Sequence, residues 1–230
     1  MQKKDYIFLI DLDNTLYYDI DTDFSNKMSK NIQNFMVSKL DIDINKISEK
    51  QQYLYKTYGN SLTGLLEEGY KINFDEWYNK IHSILPYDII KENTKLYRVL
   101  EQITLNYGRC IIFTNADRIH TIKVLEKLGL YEFFTNGIND IITFDCLNTP
   151  DTTKILCKPH INAFNFVLNK LNILDTSKVI FIDDSICNIK TAYNMGIKTI
   201  HVTSYGIIKE ADLTLSKLET ITMEDINRIL

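Results

Sequence analysis

The chain has 230 residues, 45% of them apolar and 24% charged, and a net charge of −4. That length permits one large α/β domain or one domain carrying a sizeable insertion, and the composition is that of an ordinary soluble globular protein. The acidic balance argues against nucleic acid as a partner, since phosphate-binding surfaces are usually basic, and no segment approaches the roughly 20 apolar residues that span a bilayer.

In chain order, MQKKDYIFLID is basic, then apolar, then acidic. Its apolar run is too short for a secretory signal, so a cytoplasmic or nuclear location is expected. Within it, YIFLI at 6–10 reads as a strand, followed directly by Asp11 and Asp13. From 17 to 94 no convincing strand occurs. Helical stripes take its place: Met28, Ile32, Phe35 and Met36, then SEKQQYLYKTYG, then FDEWYNKIHSIL. Next, Leu96, Val99, Leu100 and Ile103 follow helical spacing. RCIIFT at 109–114 reads as a strand, and Ile122, Leu125 and Leu128 as a helix that stops at Gly129. DIITF at 140–144 reads as a third strand. Ile161, Phe164, Val167, Leu168 and Leu171 form another helical stripe, with Pro159 suited to its first turn. KVIFI at 178–182, a helix from Ser185 to Met195, and KTIHV at 198–202 complete the pattern.

The strand-like runs show little alternation, as expected of strands buried on both faces of a parallel sheet. The order βαβαβ predicts an α/β fold with a Rossmann-like parallel sheet. Residues 1–16 and 95–230 form its core, and residues 17–94 a helical insertion after the first strand. Such an insertion stands over the strand ends where open α/β sheets bind ligands, which favours a lid. The four cysteines, Cys110, Cys146, Cys157 and Cys187, show no C-x-x-C pairing, so neither a zinc site nor a disulfide framework is expected, and Cys110 reads as a core residue. The four histidines, His82, His120, His160 and His201, lack H-x-x-x-H spacing and read as surface or capping residues.

The charged motifs fall at predicted strand ends: Asp11 and Asp13, then Thr114 and Asn115, then Asp183 and Asp184, with Lys158 in a loop before a helix. Neighbouring strand ends in a sheet lie about 4.8 Å apart, so these groups would meet in one crevice. Four carboxylates there repel; at 4 Å and an effective dielectric near 20, each pair costs about 4 kcal/mol. Lys158 alone cannot offset this, whereas a hard divalent cation such as Mg²⁺ can. The same set suits attack of a carboxylate on a phosphate ester, with Lys158, Thr114 and Asn115 binding the phosphate oxygens and Asp13 exchanging protons. Singly, each residue also has an ordinary reading: Asp11 and Asp13 as turn residues, Thr114, Asn115, Asp183 and Asp184 as caps, and Lys158 as a surface charge. Their joint occurrence favours the site.

The four motifs DLDNTLY, FTNA, CKPH and FIDDS occur in the order shown by phosphatases of the haloacid dehalogenase superfamily, and the chain resembles them over nearly its whole length. DLDNTLY, YKTYGNSLTGL and DTTKILCKPHINAF look like the pyrimidine 5′-nucleotidase branch. The resemblance implies a Rossmann-like core with an inserted helical cap of the C1 type. It implies Asp11 as nucleophile forming an aspartyl-phosphate, and Asp13 as general acid/base that also lends its backbone carbonyl to Mg²⁺. Thr114 and Asn115 would bind the phosphoryl group, with Lys158 bridging it to Asp11. Asp184 would ligate the metal directly, Asp183 directly or through water, with Asn188 and Tyr17 as supporting positions. Asp13 is absent from dehalogenases proper, so dehalogenation is disfavoured. The expected substrate is a small phosphate ester, a nucleoside monophosphate such as UMP or CMP first. Other small phosphates (sugar phosphate, pyridoxal phosphate, lysophospholipid) and a phosphomutase activity are alternatives, as is a non-catalytic binding protein on the same fold. Tyr53, Tyr55, Tyr58, Trp77 and Tyr78 offer rings for base stacking, against helix packing as the reading for most of them.

Overall fold

The computed structural model describes residues 5–18, 23–137, 140–148 and 154–230. Residues 19–22 of the expected cap, and 151–153 of the DTTKILCKPHINAF stretch, lie outside them.

Strand β1 (Tyr6–Ile10) is followed by four helices, α1 (Phe24–Leu40), α2 (Ile47–Tyr58), α3 (Ser61–Glu67) and α4 (Phe74–Ile81). Then come α5 (Thr94–Asn106), β2 (Gly108–Phe113), α6 (Arg118–Leu128), α7 (Tyr131–Thr135), β3 (Asp140–Ile142) and α8 (Phe144–Leu147). The chain continues through α9 (Ile161–Lys170), β4 (Val179–Asp183), α10 (Ile186–Asn194), β5 (Lys198–Val202), β6 (Leu213–Leu215) and α11 (Met223–Ile229). Among the described residues the sheet has six strands in the order β3-β2-β1-β4-β5-β6, every pairing parallel. The chain winds one way from β1 to β3 and the other way from β4 to β6. The switch point therefore lies between β1 and β4, at the carboxyl ends of the strands that carry the first and fourth motifs.

The unbroken apolar runs are explained by two cores, one on each sheet face. Phe8, Ile10, Cys110, Ile112, Ile180 and Ile182 face one way, against Leu96, Leu100 and Ile103 of α5 and Val124 and Leu125 of α6. Leu9, Ile111, Phe113, Val179 and Phe181 face the other way, against Phe164 and Val167 of α9 and Ile189 of α10. Successive strand residues point to opposite faces, and both faces are dry. A third apolar cluster joins Phe35 and Met36 of α1, Leu54 of α2, Leu65 of α3 and Trp77 and Ile81 of α4. No helix among the described residues is long and apolar enough to cross a membrane.

Three local expectations are corrected. The strand expected at 140–144 ends at Ile142; Phe144 opens α8, and its N–H donates to the Ala116 carbonyl at 2.9 Å rather than extending the sheet. Pro159 lies ahead of α9, which begins at Ile161 after His160. A sixth strand, β6, pairs with β5 at the edge.

Candidate active site

The register of the sheet sets the site. Ile10 is level with Ile112 on β2 and with Ile182 on β4, and the Asp11 N–H donates to the Ile182 carbonyl at 2.9 Å. Asp11 and Asp183 therefore emerge side by side. Lys158 bridges them: its Nζ lies 2.7 Å from Asp11 Oδ1 and 2.7 Å from Asp183 Oδ2, and its side chain is only 1% exposed. The ammonium also lies over two aromatic rings, with Nζ 5.1 Å from the Phe113 centroid and 5.3 Å from that of Phe181. A buried ammonium is stable only when paired. Burial opposes its charge, yet Asp11 and Asp183 outweigh burial and raise the Lys158 pKa, so the cation is retained.

Carboxylate oxygens of Asp11, Asp183 and Asp184 lie within 4.8 Å of one another. Burial and the repulsion of its neighbours push Asp11 up to about 7 despite Lys158, and burial with the charges of Asp183 and Asp11 pushes Asp184 up to about 8. The pocket thus carries more negative charge than one lysine neutralises, and its donors are hard oxygens. That donor set fits a divalent cation such as Mg²⁺.

The four acids differ in how they are held. Asp183 receives Lys158 on Oδ2, the Ser185 N–H on Oδ1 at 2.8 Å, and the Asn188 amide on both oxygens at 3.0 Å. It is saturated with donors, which suits an organising role. Asn188 thus lies where expected. Asp184 has its backbone carbonyl 3.0 Å from the Nε2 of buried His201. Asp13, on the far side of Asp11, receives the Tyr17 hydroxyl on Oδ1 at 2.5 Å, and His120 Nε2 lies 2.8 Å from the same oxygen. Burial acts to raise Asp13, but His120 and Tyr17 outweigh it and lower its pKa. Tyr17 is itself buried and reaches the site through Asp13.

Thr114 is buried at the end of β2, its hydroxyl oxygen accepting the Ala116 N–H at 3.0 Å, so its own proton is available to a ligand. The Asn115 carboxamide makes a reciprocal pair with the Lys158 main chain, donating to its carbonyl and accepting its N–H, both at 2.8 Å. A phosphate contact from Asn115 therefore falls to its own main-chain N–H, while its side chain fixes the Lys158 loop.

The histidine reading requires correction. His82, His120 and His201 are buried, and only His160 is the exposed helix-capping residue expected. His120 touches Asp13, and His82 pairs through Nδ1 with Asp117. Lone histidines carry no spacing signal. The one local sign was Asp117, which caps α6 and accepts the His120 N–H at 2.9 Å, placing His120 in the first turn at a motif-bearing strand end.

The covering helices also sort themselves. Trp77 and Tyr78 are buried in the third apolar cluster. Tyr53 packs against Tyr58 and lies under Lys50. Tyr55 is 60% exposed, yet reduced hydration and the charges of Asp184, Asp183 and Asp11 raise its hydroxyl pKa. One turn later Gly59 ends α2 with φ +86°; a Cβ there would lie 2.6 Å from the Lys158 carbonyl oxygen and 2.6 Å from Pro159 Cδ. Helix α2 is thereby seated directly on the Lys158 loop. Beside it the buried Thr63 hydroxyl lies 3.3 Å from Cys157 Sγ.

A family model described as haloacid dehalogenase-like hydrolase matches residues 7–196. Phosphate metabolism protein 8 of Saccharomyces cerevisiae is 26% identical over 196 residues, which cover 83% of this chain and 59% of that protein. The chain thus spans under two thirds of that relative's length. Among solved structures, CbbY from Rhodobacter sphaeroides in complex with phosphate is similar with a TM-score of 0.62 at 13% identity, over 96% of this chain and 99% of that one. The HAD-hydrolase YfnB from Bacillus subtilis bound to magnesium gives 0.60 at 19%, over 95% and 97%. β-Phosphoglucomutase from Clostridium difficile gives 0.60 at 16%, over 98% and 96%. At these identities the likeness is one of fold.

Proposed function

The chain belongs to the haloacid dehalogenase-like hydrolases, and from that membership we propose that it is a Mg²⁺-dependent phosphomonoesterase whose preferred substrates are pyrimidine nucleoside 5′-monophosphates. The observation that carries this reading is the buried Lys158 held between Asp11 and Asp183, with Asp13 two residues further on. The name of the yeast relative, Phosphate metabolism protein 8, agrees with a phosphate substrate.

In this reading the Thr114 hydroxyl, the Asn115 main-chain N–H and Lys158 bind the phosphoryl oxygens and draw off their charge. An Asp11 carboxylate oxygen attacks phosphorus as the bond to the leaving oxygen breaks. Asp13 gives its proton to that oxygen, leaving an aspartyl-phosphate on Asp11. Asp13, now a carboxylate, takes a proton from water as the water attacks phosphorus and releases phosphate. Asp11 and Asp184 would hold Mg²⁺, with the Asp13 carbonyl and with Asp183 directly or through water; bound there, it neutralises the phosphate oxygens and the surplus carboxylate charge. The presence of Asp13 separates this chemistry from dehalogenation. Residues 17–94 act as the cap that selects the leaving group, and Tyr55 is its exposed ring within reach of the charges of Asp184, Asp183 and Asp11.

A panel of UMP, CMP, AMP, a sugar phosphate and pyridoxal phosphate, assayed with and without EDTA, tests the reading. UMP and CMP are expected to give the highest kcat/KM. Chelation is expected to remove turnover by on the order of 100-fold or more, with recovery on added Mg²⁺. Turnover indifferent to EDTA would exclude the metal, and a sugar phosphate leading the panel would exclude the nucleotide preference. Tyr55→Ala is expected to raise KM for UMP by about 10-fold, the scale of one lost base stack, and to leave a small alkyl phosphate nearly unaffected. Equal effects on both substrates would remove Tyr55 from substrate selection.

A further inference from the structure

We infer that His120, held by Tyr87, is the positioning residue of Asp13: it occupies Oδ1 so that Oδ2 is the oxygen presented to the leaving group. The inference rests on the phosphomonoesterase reading and extends it to groups outside the four motifs.

The geometry is specific. His120 is completely buried, whereas the Asp13 side chain keeps 34% of its surface exposed. With the Asp13 proton on Oδ2, or absent, Oδ1 is an acceptor only, so His120 Nε2, 2.8 Å from Oδ1, carries a proton and donates it. Tyr17 donates to the same oxygen. Both donors therefore converge on Oδ1, and neither is directed at Oδ2. On the other side of the ring the Tyr87 hydroxyl lies 2.8 Å from Nδ1. That hydroxyl donates to the His82 carbonyl at 3.0 Å, so its oxygen is left to accept from Nδ1–H. The ring is thus held at both nitrogens, Nε2 by Asp13 and Nδ1 by Tyr87, which fixes its plane.

The supports come from two parts of the chain. His120 and Asp117 open α6 beside the second motif. His82 and Tyr87 lie on the stretch that returns from α4 to the core, and His82 Nδ1 is bound to Asp117 Oδ2. The His82 and His120 rings stand 4.9 Å apart. Asp117 accepts from the His120 main chain on its other oxygen at 2.9 Å. A role confined to stability would require only that these buried polar groups satisfy one another. Here the network terminates instead on the partly exposed carboxylate that the reaction uses.

The test compares two phosphate esters in single turnovers, reading release of the leaving group. An alkyl ester, UMP, needs a proton on its leaving oxygen; a dinitrophenyl phosphate does not. His120→Asn removes the donor from Oδ1, His120→Gln restores a donor of similar reach, and Tyr87→Phe removes only the hydroxyl that holds the ring. For His120→Asn the expected result is a loss of about 10- to 100-fold on UMP, part of the range that general acid catalysis contributes, with KM unchanged and the dinitrophenyl ester nearly unaffected. His120→Gln recovers most of the loss, and Tyr87→Phe gives a smaller loss of the same selectivity without burying a new cavity. Equal losses on both esters, no loss on UMP, or a Gln variant no better than Asn would overturn the inference alone. A wild-type protein that releases neither leaving group overturns the phosphomonoesterase reading and the inference with it.

Discussion

Asp11→Asn is expected to lower kcat by on the order of 10⁴-fold or more while leaving the protein folded. The amide keeps the shape of the carboxylate and an oxygen for Lys158, but it is no nucleophile toward phosphorus. Stability moves the other way. Burial and repulsion push Asp11 up to about 7, so at pH values above that its ionised form is a burden on the fold that Asn lacks. The variant should melt at the same temperature as the wild type or higher at about pH 8 without metal. Steady-state kinetics beside a thermal scan reads both effects. Turnover equal to wild type would remove Asp11 from the chemistry, and a large loss of Tm would show that the lost activity was a loss of fold.

Lys158→Met is expected to have the largest effect on stability. Removing one partner of a buried ion pair typically costs about 3–5 kcal/mol, because the other charge stays buried without compensation. Here two carboxylates lose the same cation, with Asp184 close by. The loss depends on pH, and its sign follows from the directions already given. Asp11 and Asp184 are raised from 3.8 to about 7 and about 8, so the folded protein binds more protons than the unfolded chain across that window. Stability without metal is then fully present below pH 3.8 and falls as pH rises through about 7 to 8. Removing Lys158 raises both acids further and deepens the fall. Denaturant midpoints should therefore separate variant from wild type most at about pH 8 and least near pH 5, and Mg²⁺ should recover part of the difference. Phosphoryl binding loses its buried cation as well, so kcat/KM should drop by roughly 10²- to 10³-fold even with Mg²⁺ present. A separation that grew toward low pH would contradict the charge balance of the crevice.

The sheet was legible because each long strand is buried on both faces, which leaves an unbroken apolar run in the sequence. Where that condition fails, the run fails too. Leu213–Leu215 is a three-residue edge strand, half-buried throughout, and nothing in LTL distinguishes it from a loop. Phe144 continues an apolar run past the end of its strand, and the turn there is set by a main-chain bond to Ala116, which no local pattern encodes. The acids and Lys158 could be placed because strand ends in a parallel sheet share one edge. The second carboxylate's neighbours could not. His82, Tyr87 and His120 lie at unrelated positions, and only the docking of the return from α4 against α6 brings them together. The pairing of the Asn115 carboxamide with the main chain of Lys158, 43 residues away in sequence, likewise leaves no local signature.

The glycine that ends α2 rests against the backbone of the one buried lysine of the crevice, with no space between them for a methyl group. A side chain at that position would have to push the Lys158 main chain aside, or lift the end of the helix from it. The absence of a side chain at this one residue thus sets how closely the helix and the lysine's backbone can approach.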